Sequence, residues 1–544
     1  MNILGIHAAY TSRSHDPSAC LIQNGKVIAA IEEERLNRIK TSTSLFPERA
    51  IRACIAMANI SIHEIDVVVA DGSTYPPLKD KINRSLVDSF GYSPPIELTH
   101  HAYAHCAGSF VSSGFDEALV VSVDGVGDQV ATLICTAKKL GSSVEYKELY
   151  RGDITTSLGV YYSVFTNYLG FRSIEGEYKV MGMAAYGSSK HDLSNLLEFN
   201  PATGELVCKN NQFIDLENYT SVFEPSYKEK FIESLTGVRR PVYFSNGFQQ
   251  EHFDLAASVQ FQFQKTYLDL ISYFLKKTGL KKLCLSGGCS LNCLANKELL
   301  GKPIDVYVMP AASDRGLSMG AAMYMASQTS QSVSPVQNMY LGRSFEPAEI
   351  KKSLDICGVS YTELSDPTIG CASAIAEGKV VGWFQGRSEF GPRALGHRSI
   401  LANPQAAEMK DILNAKIKFR ESYRPFAPAI LESELNDSGL DNTHLPYMTF
   451  TVDVPSDLAR KIPGAVHFDG TARVQSVSHD NSPLFAGLLD QVQHQNGFGA
   501  VINTSFNLAG EPIVDSPHDA IRTFYSSGID TLYLGNFKLE KSCS

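Results

Sequence analysis

Three arginines interleaved with glycines stand out in a chain that is acidic overall. Residues 381–404 read VGWFQGRSEFGPRALGHRSILANP and contain Arg387, Arg393 and Arg398. Arginine presents a planar fork of donors that matches phosphate and carboxylate, and glycine lets the backbone approach a ligand closely. The stretch therefore predicts a binding site for a small, multiply charged anion. Solvated surface ion pairs, the alternative interpretation, would not need the glycines.

Further cations and small polar residues follow in the C-terminal part of the chain. The additional candidates for the same anion are Lys416, Lys418, Arg420, Arg424 and Arg473, together with the series Asn503, Thr504, Ser505 and Asn507. A capped loop is the alternative for the last series, because these residue types also bond to nearby backbone. The net charge of −10 argues against a nucleic-acid surface as the purpose of the cations.

Two histidines in the segment HAYAH are spaced for a metal ion. His101 and His105 are four residues apart and share one face of any helix that contains them. Helical zinc proteases use this spacing with a glutamate after the first histidine, where this chain has Ala102. Asp124 and Asp314 each end an apolar strand and complete the set. Two histidines and two aspartates favour Fe(II), Zn or Mn over Ca or Mg, with a structural helix face as the alternative.

Two loops that follow predicted strands add chemistry to this list. His15 lies in a loop after the first strand, where an imidazole can act as general base on a substrate hydroxyl. Gly287 and Gly288 follow the strand Lys282–Ser286, and Asn292 opens the next helix. Bare amides and a helix N-terminus can face an anion, so the two glycines and the asparagine are candidates for a phosphate or ribose contact.

The elements that must position these residues form an α/β pattern with a duplicated start. Asn24-Gly25 between two apolar runs predicts a β-hairpin. Apolar residues at helical spacing predict a long helix over Phe253–Lys277. An apolar strand, an acidic glycine loop and a second strand recur from Ala118, as in proteins of the actin, hexokinase and sugar-kinase class.

Size and composition indicate an enzyme of at least two domains. At 544 residues the chain is too long for one hydrophobic core. A linker rich in Ser, Thr and Gln at 329–335 divides it into domains 1–330 and 336–544. No apolar run reaches the roughly 18 residues of a membrane helix, and the start lacks the pattern of a signal peptide. We expect a cytoplasmic protein without membrane or nucleic-acid partners; a homodimer is one open alternative for its assembly.

Motifs along nearly the whole chain resemble the O-carbamoyltransferase family of antibiotic and nodulation-factor biosynthesis. They occur in the order HDPSA, EEERLNRIK, HAYAH, VDGVGD, SLGVYYSVFTNYLGF, EGEYKVMGMAAYG, SGGCSLNCLAN, PAASDRG, FQGRSEFGPRALGHRSILANP, FRESYRPFAPAIL, DGTARVQSV and NTSFNLAGEPIV. Two positions depart from the family pattern: Arg315 follows Asp314 where a small residue is usual, and His397 replaces a commonly small residue.

The resemblance implies an actin-like N-terminal domain and a C-terminal domain similar to threonylcarbamoyladenylate synthase. In such enzymes the C-terminal domain forms carbamoyladenylate and pyrophosphate from carbamoyl phosphate and ATP with Mg. The N-terminal domain then transfers the carbamoyl group to a hydroxyl of a small-molecule acceptor and releases AMP. The resemblance also implies roles for individual residues of this chain. It implies catalytic roles for His15, Lys418 and Arg473, and an iron-type ion bound by His101, His105, Asp124 and Asp314. It implies that the adenylate contacts Gly287, Gly288 and Asn292, and that carbamoyl phosphate or ATP binds at Lys418, Arg420, Arg424, Arg473, Asn503 and Ser505, beside Arg387, Arg393 and Arg398.

Three other functions stay open at this point. A tRNA-modifying fusion of the same two folds predicts a basic surface, which the net charge of −10 opposes. A non-catalytic metal- or nucleotide-binding regulator would tolerate loss of Arg393 or His15. A sugar kinase would leave the C-terminal arginines unexplained. The acceptor, whether sugar, aminoglycoside, macrocycle or alkaloid, depends on loops that no motif specifies.

Overall fold

The computed structural model describes residues 1–11, 14–215, 221–241, 247–329, 331–440 and 444–541. The chain divides into two compact units. The first unit comprises Met1–Glu33 and Thr41–Val336, and the second comprises Glu34–Lys40 and Gln337–Ser544. The division expected from the sequence differs at two places. The short segment Glu34–Lys40 groups with the second unit, and Val336 groups with the first. Residue 330 of the expected linker lies outside the described residues.

Two five-stranded sheets of the same connectivity organise the first unit. Its strands are β1 (Asn2–His7), β2 (Ser18–Gln23), β3 (Lys26–Glu32), β4 (Val67–Asp71), β5 (Ile96–Thr99), β6 (Glu117–Gly127), β7 (Val130–Leu140), β8 (Ser143–Gly152), β9 (Leu197–Asn200), β10 (Glu205–Cys208), β11 (Lys282–Ser286) and β12 (Asp305–Val308). One sheet has the order β3-β2-β1-β4-β5, and the other has the equivalent order β8-β7-β6-β11-β12. In both sheets three antiparallel strands are extended by two parallel ones. The predicted duplicated, actin-like α/β start is confirmed.

Helices connect these strands. In residues 1–336 they are α1 (Glu33–Asn37), α2 (Glu48–Ala58), α3 (Leu78–Phe90), α4 (His101–Ser113), α5 (Leu158–Tyr168), α6 (Glu177–Ala184), α7 (Asn210–Phe213), α8 (Glu229–Thr236), α9 (Gln250–Thr278), α10 (Cys293–Lys297) and α11 (Leu317–Gln328). Helix α9 confirms the long helix predicted from apolar spacing, and Gly279 with φ 71° ends it. Within the described ranges no helix is both long and apolar enough to cross a bilayer.

The hairpin between β2 and β3 forms at the predicted dipeptide. Asn24 and Gly25 have φ values of 50° and 75°. Two-residue hairpin turns whose twist matches that of the strands need positive φ at both positions, which asparagine and glycine tolerate best. The local sequence therefore determines this turn.

Glycines let α4 pack closely against α11. A Cβ atom on Gly320 of α11 would lie 2.0 Å from the carbonyl oxygen of Ala104 on α4. A Cβ on Gly108 would lie 3.3 Å from the Cα of Gly320. Larger side chains would push the helices apart, since protein interiors are close-packed. The contact fixes the position of α4 and of the histidines that it carries.

One eight-stranded mixed sheet forms the centre of the second unit. The strands of this unit are β13 (Thr362–Glu363), β14 (Val381–Phe384), β15 (Arg398–Ala402), β16 (Ala427–Leu431), β17 (Val452–Asp453), β18 (Thr471–Ala472), β19 (Gln475–Val477), β20 (Ala500–Ser505), β21 (Thr531–Leu534) and β22 (Phe537–Glu540). The order in the large sheet is β13-β22-β21-β14-β15-β20-β16-β19. The predicted α/β class therefore holds for this unit as well.

Helices bury one face of the large sheet. The helices of residues 337–541 are α12 (Pro347–Cys357), α13 (Pro367–Ala376), α14 (Met409–Ile412), α15 (Glu432–Asn436), α16 (Ser456–Lys461), α17 (Pro483–Asn496) and α18 (Pro517–Tyr525). Trp383 on β14, Val501 on β20 and Phe485 on α17 belong to one fully buried apolar cluster. This core supports the loops that leave β14, β15 and β20, where the predicted anion-binding residues lie.

Candidate metal centre and anion pocket

The four predicted metal ligands meet in the first unit. Helix α4 supplies His101 and His105, β6 supplies Asp124, and Asp314 begins a short 3₁₀ turn after β12. Each residue offers one ligand atom, and all four atoms lie within 4.8 Å of one another. The Nε2 atom of His101 is 3.3 Å from Asp124 Oδ2 and 3.6 Å from Asp314 Oδ1. The corresponding distances from His105 Nε2 are 3.6 and 3.7 Å.

The buried Nε2 atom of His105 is placed to bind a cation rather than to form a hydrogen bond. His105 is 3% exposed, and among the described residues its Nε2 atom has no hydrogen-bond partner. Buried polar atoms of native proteins nearly always have a partner, so an unpaired imidazole nitrogen facing two carboxylates suits a metal ion. Imidazole and carboxylate donors together suit a borderline transition metal such as iron, zinc or manganese.

A second set of contacts orients the first histidine. His101 Nδ1 is 3.0 Å from Asp71 Oδ2, and Asp71 Oδ1 is 2.7 Å from His7 Nδ1. Metal-binding histidines commonly pair their second nitrogen with a carboxylate, which fixes the ring and its tautomer. His7 and Asp71 were not among the sequence predictions. The structure brings them together because β1 and β4 pair in parallel, with Ile6 opposite Ala70, so that the polar ends of the two strands lie side by side.

Charge interactions between the carboxylates and the histidines shift the pKa values of both in this group. Burial alone would lower the pKa of His105, but the neighbouring Asp124 and Asp314 outweigh burial and raise it. Burial likewise would raise the pKa of Asp71, but His7 and His101 hold that pKa well below its ordinary range. Asp71 is therefore ionised and accepts from both rings, as an orienting carboxylate must.

We expect Asp71→Ala to weaken metal binding by about 10- to 100-fold, because the mutation frees the His101 ring that the carboxylate orients. Titration calorimetry of the protein with Mn²⁺ measures the change. Asp88→Asn, an exposed position on α3, is the control and should bind as the wild type does. Equal affinity in Asp71→Ala and wild type would contradict the orienting role.

His15 lies beside the metal ligands. Its Nε2 atom is 3.7 Å from Asp314 Oδ2, and its Nδ1 atom is 3.1 Å from Asp16 Oδ2. Arg315 Nη2 donates to Asp16 Oδ1 at 3.0 Å, so the unusual arginine after Asp314 anchors the partner of His15. Although burial opposes it, the carboxylates of Asp314 and Asp16 raise the pKa of His15 to about 9. An imidazolium cannot accept a proton, so a base role requires neutralisation of Asp314, which a bound cation provides.

The glycine turn after β11 contacts one of the candidate metal ligands directly. The backbone N–H of Gly288 donates to Asp124 Oδ1 at 2.9 Å and so orients that carboxylate. Gly287 has φ 80°, and a Cβ there would lie 2.3 Å from the carbonyl oxygen of Val123. Asn292 caps α10 through Ala295 N at 3.1 Å. Its side chain also pairs with Gln260 at 3.0 Å. The adenylate contact expected of Gly287, Gly288 and Asn292 stays a prediction.

Lys418 is a buried and hydrogen-bonded cation of the second unit. It ends a π-helical turn, Leu413–Lys418, and is 5% exposed. Its Nζ atom donates to Ser505 O at 2.5 Å, Asn507 O at 3.0 Å and Asn507 Oδ1 at 2.9 Å. Burial, then the charges of Arg420 and Arg424, hold the pKa of Lys418 well below its ordinary range. Single π-helical turns occur frequently at functional sites.

Neighbouring side chains hold the cations beside Lys418 in place. Arg420 Nε donates to Asn414 Oδ1 at 2.7 Å, and its guanidinium lies 4.4 Å from the ring centre of Phe426. Arg424 Nη1 is 3.6 Å from Glu421 Oε2. Lys418, Arg420 and Arg424 thus lie close together, and a bound anion would relieve their mutual repulsion.

Two arginines of the glycine-rich stretch instead hold the framework. Arg398 is fully buried and donates to the backbone oxygens of Gln385, His397 and Arg343. Burial lowers the pKa of Arg398 to about 10. Arg387 donates to the backbone oxygens of Gly342 and Leu341. Carbonyl groups in irregular loops lack the hydrogen-bond donors that a sheet or helix provides, and one arginine side chain can donate to several of them. These contacts give Arg398 and Arg387 structural roles, and their predicted contact with an anion stays a prediction.

A buried carboxylate that sequence reasoning missed shapes the same loop. Glu389 is 1% exposed, and its Oε1 atom accepts from the backbone N–H groups of Leu395, His397 and Arg398 at 2.7 to 3.2 Å. The signal in the sequence is a single acidic residue inside an arginine- and glycine-rich run. Glu389 thereby sets the conformation of the loop that carries Arg393.

The remaining predicted ligands lie along the same loops. Asn503 is 2% exposed and donates to Ala394 O at 3.2 Å and Gln475 Oε1 at 2.7 Å. Ser505 Oγ donates to Asn507 Oδ1 at 2.7 Å. Arg393 and Arg473 are half-buried. Ser505 is thus joined to Lys418, while anion contacts of Arg393, Arg473 and Asn503 stay predictions.

Comparisons with known proteins agree across both units. The family model described as Carbamoyltransferase N-terminus matches residues 2–77 and 79–323, and that described as Carbamoyltransferase C-terminus matches residues 372–541. Nodulation protein NolNO of Sinorhizobium fredii is 34% identical over 97% of this chain and 79% of its own. Nodulation protein NolO of Bradyrhizobium diazoefficiens is 34% identical over 82% of this chain and 79% of its own. Uncharacterized protein sll1178 of Synechocystis sp. is 34% identical over 99% of this chain and 97% of its own. The protein therefore belongs to the carbamoyltransferase family and is a carbamoyltransferase enzyme.

Proposed function

We propose that this carbamoyltransferase works in two half-reactions, one in each unit. In the second unit water releases orthophosphate from carbamoyl phosphate, and the resulting carbamate oxygen attacks the α-phosphorus of ATP. Carbamoyladenylate forms and pyrophosphate leaves. In the first unit the oxygen of an acceptor hydroxyl attacks the carbamoyl carbon, the bond from that carbon to the AMP oxygen breaks, and AMP departs with the electron pair. The hydroxyl proton passes to a base.

The observation that carries this proposal is the anchored cation group around Lys418. A buried ammonium joined to Ser505 and Asn507 lies in the field of Arg420 and Arg424. ATP and carbamoyl phosphate bring a dense cluster of negative charge into one site. Catalysis of phosphoryl chemistry depends mainly on positioning and on neutralising that charge, with Mg²⁺ accompanying the nucleotide. The second unit has the residues for this task.

The first unit has the residues for carbamoyl transfer. In our proposal His101, His105, Asp124 and Asp314 hold a divalent transition metal, iron(II) by preference, which supplies a Lewis acid for the carbonyl group. His15 accepts the hydroxyl proton at Nε2, the nitrogen on the Asp314 side. Asp16 contacts the other ring nitrogen at 3.1 Å and thereby fixes the tautomer that leaves Nε2 available.

The acceptor in this proposal is a small molecule with a free hydroxyl, such as a sugar or another natural product. A net charge of −10 disfavours a polyanionic acceptor such as tRNA. The two nodulation proteins described above carry names that are consistent with a small-molecule acceptor.

A pyrophosphate-release assay with ATP, Mg²⁺ and carbamoyl phosphate tests the first half-reaction. We expect release that depends on carbamoyl phosphate and falls by about 100-fold in Arg473→Ala, since removal of one preorganised donor commonly costs that much. Arg460→Ala is the control, because its side chain is 72% exposed on α16. Absence of carbamoyl-phosphate-dependent release from wild type, with and without added hydroxyl acceptors, would defeat the adenylation proposal.

A further inference from the structure

A segment from near the start of the chain belongs to the anion-binding unit. Glu34–Lys40, part of the motif EEERLNRIK, groups with the second unit, although the N-terminal family model covers it. The two half-reactions described above give this segment no role. It nevertheless carries two arginines with little exposure: Arg35 is 1% exposed, and the side chain of Arg38 is 16% exposed. Buried cations require specific partners, because removing their charge from water is costly.

Arg38 finds its partners in the loop after β20. Its Nη1 atom donates to Ile513 O at 2.6 Å, and its Nη2 atom donates to Pro512 O at 2.8 Å. Its Nε atom is 3.4 Å from Asp519 Oδ1 on α18. The planar fork thus clamps two consecutive carbonyl groups, which a lysine cannot reproduce. Arg38 also has φ 64°, a left-handed conformation that is costly for a residue with a long side chain and that persists only where surrounding contacts enforce it.

The clamped carbonyls are connected to Lys418 by a short series of contacts. Next to Ile513, Val514 N donates to Phe506 O at 2.9 Å, which closes the loop onto itself. Asn507 Nδ2 donates to Glu511 O at 2.7 Å. The Oδ1 atom of the same asparagine accepts from Lys418 Nζ at 2.9 Å. Any shift of the loop at residues 512–513 therefore moves the oxygens that hold Lys418.

Arg35 makes the equivalent contact on the glycine-rich stretch. Its Nη2 atom donates to Gly391 O at 2.7 Å. Gly391 has φ 116°, a conformation open mainly to glycine, and Arg393 follows two residues later. One segment thus holds both loops that carry predicted anion ligands: the loop of Arg393 and the loop of Ser505 and Asn507.

We propose that Arg38, supported by Arg35, is a positioning residue for the anion pocket, so that residues of the N-terminal sequence control the first half-reaction. This inference rests on the proposed function of the second unit. Arg38 acts through the backbone of Pro512 and Ile513 and touches neither substrate. Lys40, at the end of the same segment, adds to the positive field around Lys418.

Calorimetric titration with inorganic pyrophosphate tests this inference on the full-length protein. We expect Arg38→Ala to weaken pyrophosphate binding by about 10- to 100-fold, because small misplacements of binding groups are costly. Arg38→Lys should recover part of the affinity, since one ammonium can reach a carbonyl but lacks the fork. Arg52→Ala is the control, as its side chain is 52% exposed on α2 and pairs only with Glu48 among the charged residues described. Mn²⁺ affinity of the first unit, measured in parallel, should stay unchanged in all three variants.

The outcomes separate a positioning role from a purely structural one. A folded Arg38→Ala protein with wild-type affinity for pyrophosphate would overturn the inference. If Arg38→Ala loses Mn²⁺ binding and unfolds, Arg38→Lys decides: intermediate affinity supports positioning, and wild-type affinity overturns it. Wild-type protein that binds pyrophosphate but forms none from carbamoyl phosphate and ATP would defeat the proposed function alone. Wild-type protein that binds no pyrophosphate would overturn the inference as well.

Discussion

Lys418→Met should reduce carbamoyl-phosphate-dependent pyrophosphate release by about 10²- to 10³-fold, the usual effect of removing one preorganised electrostatic donor. Methionine nearly preserves the length of the side chain but removes the ammonium. The oxygens of Ser505 and Asn507 then lose their shared donor, and the pocket loses a positive charge at its centre. The rate of pyrophosphate release with saturating ATP and Mg²⁺ measures the effect, and the KM for carbamoyl phosphate separates binding from turnover.

Lys416→Met is the matched control for this prediction. Lys416 lies in the same π-helical turn but is exposed, so the two variants share the chemistry of the change and differ in burial. The control should retain nearly the wild-type rate. A far-UV circular dichroism spectrum and a thermal unfolding midpoint equal to those of the wild type show that Lys418→Met folds. A folded Lys418→Met enzyme within twofold of the wild-type rate would exclude Lys418 from the first half-reaction.

Asp314→Asn should abolish carbamoyl transfer while leaving pyrophosphate release intact. Asp314 Oδ1 faces both histidines at 3.6 and 3.7 Å, and its Oδ2 atom faces His15 at 3.7 Å. The amide keeps the shape but loses the negative charge that holds a divalent cation. Because a Lewis acid contributes several kcal/mol to charge stabilisation, we expect transfer to fall by about 10³-fold or more. Metal affinity should fall as well.

Two measurements on the same preparation check this separation. Product analysis of AMP and carbamoylated acceptor reports transfer, and pyrophosphate release in the absence of acceptor reports adenylation. Asp305→Asn is the control, because Asp305 is exposed at the start of β12, nine residues before Asp314. Equal losses of both activities in Asp314→Asn would mean that the two half-reactions share one centre, contrary to the proposal.

Local sequence patterns predicted several parts of the molecule correctly. The Asn24-Gly25 hairpin and helix α9 follow from interactions between residues close in sequence, namely turn dihedrals and apolar spacing. The pairing of His101 with His105 follows from helical periodicity in the same way. The duplicated sheets were recognisable because strand and glycine-loop patterns recur along the chain.

Local sequence patterns could not predict the contacts between residues that are distant in sequence. His7 reaches Asp71 across 64 positions, and Arg35 reaches Gly391 across 356. A polar residue at the end of a strand does not reveal which strand lies beside it. An arginine that donates to backbone oxygens leaves no complementary side chain for a pattern to detect.

Residue types and their spacing were sufficient to predict the class of fold, the residues of the candidate metal centre and a concentrated group of cations. Which of these cations lie together and which donate to the backbone of the surrounding loops became clear from the fold. Arg387 and Arg398 are of the same residue type as Arg420, yet they donate to carbonyl groups around Leu341–Arg343 that are distant in sequence. Arg420 donates instead to Asn414 and Pro425 of its own segment. The reason is that each buried carbonyl needs a donor, and which carbonyls lack one depends on how distant loops pack.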